Sequence, residues 1–345
     1  MDEAREGNPN RAAGSVDKPP SPDMPPLVRL ELFVNVFATG AAVILIEILG
    51  TRVIGPVFGV SLFVWSALLA VTLGSLALGS YAGGVLVDHA PTRRLLGLVV
   101  VAAGVLLCVV PLLRHGVLQS AEAFGPRGGS LLAAALLFTP SLLALGMVGP
   151  IAVRHATLDL CAAGRGVGSV YAVSTAGSLV GTFVTAFLLV PAFETDQILF
   201  GTAILLTLMG AVSLAWSWHR AAFVAVAIPV LAANAVSPSP LPRGVQVLDR
   251  SQSFYGLVEV IDDFNREVRF LRADHSVLGA QFLRDHSSGF AFIHLLESVR
   301  FLRPAARDML QIGLGTGALP SVLDARGIKV DVVEIDPAVV RFAQR

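Results

Sequence analysis

The chain has 345 residues, of which 54% are hydrophobic and 14% charged, with a mean hydropathy of +0.72. Soluble domains carry about 25% charged residues, so this composition predicts that much of the chain sits in lipid rather than water. A formal net charge of zero removes the electrostatic basis for a nucleic-acid partner. The two cysteines, Cys108 and Cys161, lack metal-ligand spacing, so they read as unpaired thiols and no metal is expected.

Residues 1–26 are polar and rich in Pro, Gly, Asp and Asn, which predicts a disordered tail without the compact shape of a signal peptide. Seven apolar stretches then follow, near Leu32–Gly50, Leu62–Val87, Leu95–Leu113, Leu131–Val153, Val167–Val190, Ile198–Trp216 and Ala221–Ala235. Most approach the roughly 20 residues that span a bilayer as helix, and the seventh is short. Residues 27–236 therefore read as an all-α polytopic membrane bundle of about seven transmembrane helices. Ser75, Gly79 and Gly83, and again Gly177 and Gly181, recur every four residues and mark seams where helix backbones touch. Pro140 and Pro150 are expected to bend or break the fourth span.

Basic residues give the orientation. With the amino terminus inside, Arg5, Arg11, Lys18, Arg29, Arg93, Arg94, Arg154, Arg165 and Arg220 face the cytoplasm, against Arg52, Arg114 and Arg127 outside. The expected location is the inner or plasma membrane, multi-pass, with a cytoplasmic amino terminus. Seven spans place the carboxy-terminal region outside, away from cytosolic nucleosides. On the sequence alone, that conflict puts the span count in doubt first.

Residues 237–243, Ser-Pro-Ser-Pro-Leu-Pro-Arg, read as a stiff linker. Residues 244–286 change character. Alternation in Leu257–Ile261 and in Val268–Leu271 predicts antiparallel strands joined by a turn at Asp262-Asp263-Phe264-Asn265. A helix is expected from Phe290 to Leu302. From Met309 an apolar run enters Gly313-Leu314-Gly315-Thr316-Gly317, then a helix-like stretch, then a second apolar run ending in Glu334. This is the order of a Rossmann-like adenosyl-binding unit. Glycines let the backbone approach a ligand, and a carboxylate about 20 residues on accepts hydrogen bonds from ribose hydroxyls. Gly313, Gly315, Gly317 and Glu334 are thus the candidate cofactor-binding residues, and no catalytic residue is assigned.

Two stretches together carry a resemblance. The membrane half (Gly40-Ala-Ala-Val-Ile-Leu-Ile-Glu47, the second span ending at Asp88, and Tyr171-Ala-Val-Ser-Thr-Ala-Gly177) resembles the major-facilitator-like part of membrane-fused spermidine synthase-like proteins. Residues 244–345, with the glycine loop and Val332-Val333-Glu334-Ile335-Asp336, resemble the start of a spermidine synthase domain, with an incomplete Rossmann-like part over 287–345. The resemblance implies transfer of an aminopropyl group from decarboxylated S-adenosylmethionine to a polyamine. It also implies that the family's loop glycines and ribose-binding glutamate correspond to Gly313, Gly315, Gly317 and Glu334. Three positions depart from the family pattern: Thr316 replaces a loop aspartate, Phe292-Ile293-His294 replaces Tyr-His-Glu, and Gly256 replaces a glutamine. The family's general-base aspartate and adenine-holding segment fall beyond Arg345, so the resemblance marks a carboxy-terminally truncated copy. Such a short end is expected to be poorly stable unless it borrows packing from the lead-in strands or from another copy in a homo-oligomer.

Other readings stay open. The loop and acidic strand tip equally suit an S-adenosylmethionine-dependent methyltransferase, and Gly313-Leu-Gly315-Thr-Gly317-Ala318 satisfies a nicotinamide-type G-x-G-x-x-A pattern. A transporter-like membrane half with a vestigial soluble part is the non-enzymatic alternative. Asp274, Asp285 and His294 are further polar candidates, for which ordinary solvated positions are the plainer reading.

Overall fold

The computed structural model describes residues 25–59, 61–157, 163–215, 221–235, 243–253, 255–273 and 276–344. The predicted tail, apart from Pro25 and Pro26, lies outside the described residues, as do Cys161, Asp274 and the predicted linker apart from Arg243.

The first part is helical: α1 (Pro26–Phe58), α2 (Leu62–His89), α3 (Arg93–Glu122), α4 (Gly125–Ala156) and α5 (Ala163–Phe183). The last of these continues through a π-helical segment, Val184–Leu189, into the single turn α6 (Val190–Ala192). Then come α7 (Thr195–Ala215) and α8 (Ala221–Ala235). Among the described residues six helical stretches are long and apolar enough to cross a membrane. The seventh apolar stretch forms α8, whose 15 residues reach only about 22 Å, short of a bilayer core of roughly 30 Å.

The small-residue seams carry the packing. A Cβ on Gly79 of α2 would run into the Leu143 carbonyl of α4, and one on Gly83 would lie 2.7 Å from Met147 Cα. Gly177 and Gly181 of α5 meet Phe37 and Ala41 of α1 in the same way. Phe138, Ile46, Leu49, Ile54 and Leu107 fill the centre. The expectation of a broken fourth span is corrected, because α4 runs unbroken through Pro140 and Pro150. Ser80 Oγ of α2 donates to the Gly146 carbonyl at 3.3 Å, the acceptor that Pro150 leaves without an amide donor.

The second part opens with β1 (Val245–Ser253), β2 (Gly256–Asp263), β3 (Val268–Ala273) and β4 (Ser276–Phe282), an antiparallel meander in that order. The hairpin read at 257–271 is β2 and β3, with Val260 opposite Leu271 and Asp262 opposite Arg269. The predicted helix over 290–302 is split into α9 (Ala291–Glu297) and α10 (Val299–Leu302). Then follow β5 (Asp308–Ile312), α11 (Ala318–Asp324), β6 (Lys329–Val333) and α12 (Pro337–Ala343). Strands β5 and β6 pair in parallel, with Ile312 opposite Val333. That makes one β-α-β unit. A two-stranded parallel sheet is shared by several α/β folds and does not single out a doubly wound one.

Helix α12 joins this unit to the meander by laying Ala338, Val339 and Phe342 on Val258 and Leu271. Burying a phenylalanine of this kind contributes about 1.5–3 kcal/mol. Asp336 sets the start of the helix: its Oδ1 accepts from Ala338 N at 2.8 Å, and Pro337 takes the first helical position, where a missing N–H costs nothing. Two cross-strand pairs stiffen β2 and β3. Arg269 holds Asp262 through two bonds of 2.7 and 2.9 Å, and Arg272 holds Glu259 at 2.5 Å. The Asp262 carboxylate pushes the Arg269 guanidinium above its ordinary pKa, chiefly by hydrogen bonding.

Candidate functional site

The site lies where β5 gives way to α11. Gly313, Gly315 and Gly317 have φ of 87°, 58° and 74°, all in the left-handed region. An L side chain there costs roughly 1–2 kcal/mol per residue, which is why glycine occupies each bend. No heavy atom lies within 4 Å of where a Gly313 Cβ would sit, so one face of the loop is open to a ligand.

Glu334 follows β6 and its side chain reaches back to the loop. Oε2 accepts from Leu314 N at 2.8 Å, while Oε1 accepts from Ile335 N at 2.8 Å and Asp336 N at 2.9 Å. The four predicted residues are therefore brought together, with the carboxylate clasping the bend. Burial pushes the Glu334 pKa up, but the three amide donors outweigh it and hold the carboxyl below its ordinary value. A carboxylate offers about four acceptor directions. The three amides leave one free, on Oε2. One ribose hydroxyl can bind without rearrangement, and a second displaces an amide.

Thr316 packs its side chain into the space that a Cβ on Gly279 would occupy, 2.5 Å from that position. Its carbonyl accepts from Gln281 Nε2 at 3.3 Å. The loop is thus seated on β4. Beside it opens a cleft of about 290 Å³ lined by Asp249, Arg269, Gln281, His286, Thr316 and Ser321 over an apolar floor that includes Phe342. Two further polar candidates, Asp285 and His294, have local partners. Asp285 accepts from Ser287 N and Oγ, which lowers its pKa, and His294 Nε2 contacts the Ser288 carbonyl. Among the described residues no group of three or more His, Cys, Asp or Glu is placed to hold a metal.

Sequence reasoning missed Ser253, whose Oγ donates to Asp336 Oδ2 at 2.7 Å and ties the β1–β2 turn to the acidic strand tip. Nothing local in the sequence signals a bond across 83 positions. The capping role of Asp336 was legible in principle, from an aspartate immediately before a proline that opens a helix.

No family model matches the chain, and no solved structure matches it. The chain is similar to an N-terminal histidine N-methyltransferase of Emericella nidulans, with 26% identity over 299 residues. The match takes in 75% of this chain and 51% of the relative, so the chain spans about half the length of the curated relative it matches.

This finding corrects the resemblance to membrane-fused spermidine synthases. The relative transfers a methyl group, so an aminopropyl reaction, decarboxylated adenosylmethionine and a polyamine acceptor are set aside. The physical reason lies in what the motif encodes. A glycine bend with a carboxylate at the next strand tip recognises a nucleoside whatever group it carries. The residue that distinguishes a polyamine site, a carboxylate for an ammonium group, is absent where Thr316 stands.

Proposed function

We propose that this chain binds S-adenosylmethionine across Gly313, Gly315, Gly317 and Glu334 and serves methyl transfer to a nitrogen acceptor. The observation that carries the reading is the Glu334–Leu314 clasp beside an open glycine bend, in a chain similar to a histidine N-methyltransferase. In such a reaction the acceptor's nitrogen lone pair attacks the methyl carbon. The carbon–sulfur bond breaks with its electron pair going to sulfur, and neutral adenosylhomocysteine leaves. The sulfonium is already electrophilic, so the protein's part is to fix the nucleoside and align the acceptor. The relative's acceptor, an N-terminal histidine, is the first one to try.

Purified full-length chain in detergent is expected to bind S-adenosylmethionine and adenosylhomocysteine with a Kd of about 1 μM to 1 mM, and NAD more weakly. A labelled methyl group should pass from S-adenosylmethionine to a peptide beginning with histidine. Preference for NAD, or no binding of any nucleoside, overturns the reading.

The same proposal extends to placement. We infer that the helices lie in the bilayer and that α8, though short, crosses with the others, so that the site and the amino terminus lie on opposite faces. Two contacts support this. Gln252 of β1 reaches the Val190 carbonyl, and Arg250 approaches Glu194, so the site-bearing part rests on the end of the bundle where α7 begins. Helix α8 brings the chain back to that end. Of two cysteines introduced separately at Ser321 and Ser15, one should react in intact cells with a membrane-impermeant maleimide and the other should not. Equal reaction at both positions sinks this placement.

A further inference from the structure

The last four residues of β1 bond in alternation to two different parts of the molecule. Successive strand residues point to opposite faces. On one face Gln252 Nε2 donates to the Val190 carbonyl at 2.9 Å, and Arg250 Nη1 lies 3.6 Å from Glu194 Oε1. Both partners belong to the end of the helical bundle where α7 begins, and Val190 directly follows the π-helical segment. On the other face Ser251 Oγ accepts from Arg341 Nη2 of α12 at 2.6 Å, and Ser253 Oγ donates to Asp336 Oδ2 at 2.7 Å. Asp336 is 4% exposed, and its own amide donates to the Glu334 carboxylate.

We propose that Arg250–Ser253 is a strut that sets the position of the Glu334 clasp relative to the helical bundle, with Ser253 and Gln252 as its positioning residues. The inference goes beyond the proposed methyl transfer in naming what holds the site and from where. A chain of contacts runs from the Val190 carbonyl through Gln252 and Ser253 to Asp336 and then Glu334. Each link is a direct hydrogen bond or a peptide neighbour. The exposed pair Arg250–Glu194, with side chains 65% and 42% exposed, adds little. The two buried-side links carry the strut. A π-helical turn marks a place where a helix accommodates one extra residue, and such turns occur frequently at functional sites. Here that turn ends immediately before Val190, the residue that anchors β1.

The test is amide hydrogen exchange on the purified full-length chain, followed in peptides covering 310–318 and 331–340, with no ligand added. Ser253→Ala and Gln252→Ala are each expected to speed exchange at the Leu314, Ile335 and Asp336 amides by roughly tenfold, the usual consequence of losing one hydrogen bond of this kind. Ser253→Thr keeps the hydroxyl and should exchange at the parent rate. Ser287→Ala, an exposed hydroxyl away from the strut, is the control. Because the measurement needs no nucleoside, it decides the strut even if S-adenosylmethionine fails to bind. Where it does bind, both alanine variants should raise its KM severalfold with kcat held. Parent-like exchange in Gln252→Ala overturns the proposal, as does Ser253→Thr behaving like Ser253→Ala.

Discussion

Glu334→Ala should weaken S-adenosylmethionine binding by about 100-fold or more, since a hydrogen bond to a charged group is worth about 1.5–3 kcal/mol and the substitution removes both the ligand contact and the loop clasp. The clasp matters because, among the described residues, Leu314 N donates to no acceptor but this carboxylate. Glu334→Gln keeps one carbonyl oxygen for Leu314 and should fall between parent and alanine. Calorimetric titration of the purified chain measures both. An alanine variant that binds as tightly as the parent removes Glu334 from the site. The pH dependence has a definite sign. The folded carboxyl titrates below its ordinary value, so its contribution is present above the unfolded pKa, about 4.3 for glutamate. It is lost as pH falls through the lower folded value. Binding should therefore hold across neutral and mildly acidic pH and decline only below the ordinary glutamate range.

Gly79→Leu should separate α2 from α4 and leave the bundle unable to pack as it does now. Even a methyl group at this position meets the Leu143 carbonyl, and backbone cannot rotate aside as a side chain does. Overpacking usually costs about 1–3 kcal/mol. Here the cost should exceed that range, because Gly146 on the facing helix is also backed against Leu76 and Gly79. Gly79→Ala should lower the thermal unfolding midpoint measurably, and Gly79→Leu should give largely aggregated protein on size-exclusion chromatography in detergent. Gly74, with nothing within 4 Å of its Cβ position, should accept leucine without loss. Equal tolerance at positions 74 and 79 contradicts the packing argument.

Local patterns made part of this molecule readable in advance. Alternation of Leu257–Ile261 against Val268–Leu271 gave the central hairpin, and the spacing of Gly79 and Gly83 marked the seam on which α4 lies. Gly313, Gly315 and Gly317 announced a bend, and each has the positive φ that only glycine adopts freely. Other features leave no local trace. Pro140 and Pro150 signal a break that surrounding helices prevent. Residues 184–189 have the composition of ordinary α-helix, and the π-helical turn there is a tertiary outcome. The Gln252–Val190 and Ser253–Asp336 bonds join residues 62 and 83 positions apart, beyond any periodicity. The family assignment failed for a related reason. Gly-x-Gly-x-Gly and an acidic strand tip report the shared nucleoside, whereas the transferred group is told apart by side chains converging from elsewhere in the fold.

The fit of Thr316 against Gly279 ties two distant positions into one evolutionary unit. A Cβ at 279 would collide with the threonine methyl, so a homologue with alanine or larger there must carry a residue without that methyl at 316, such as glycine, alanine or serine, or lift the bend off β4. Substitutions at these two sites should accordingly appear as correlated pairs across descendants of this lineage. An acidic side chain introduced at 316 would bring its charge against the β4 backbone at Gly279, where the threonine methyl now sits.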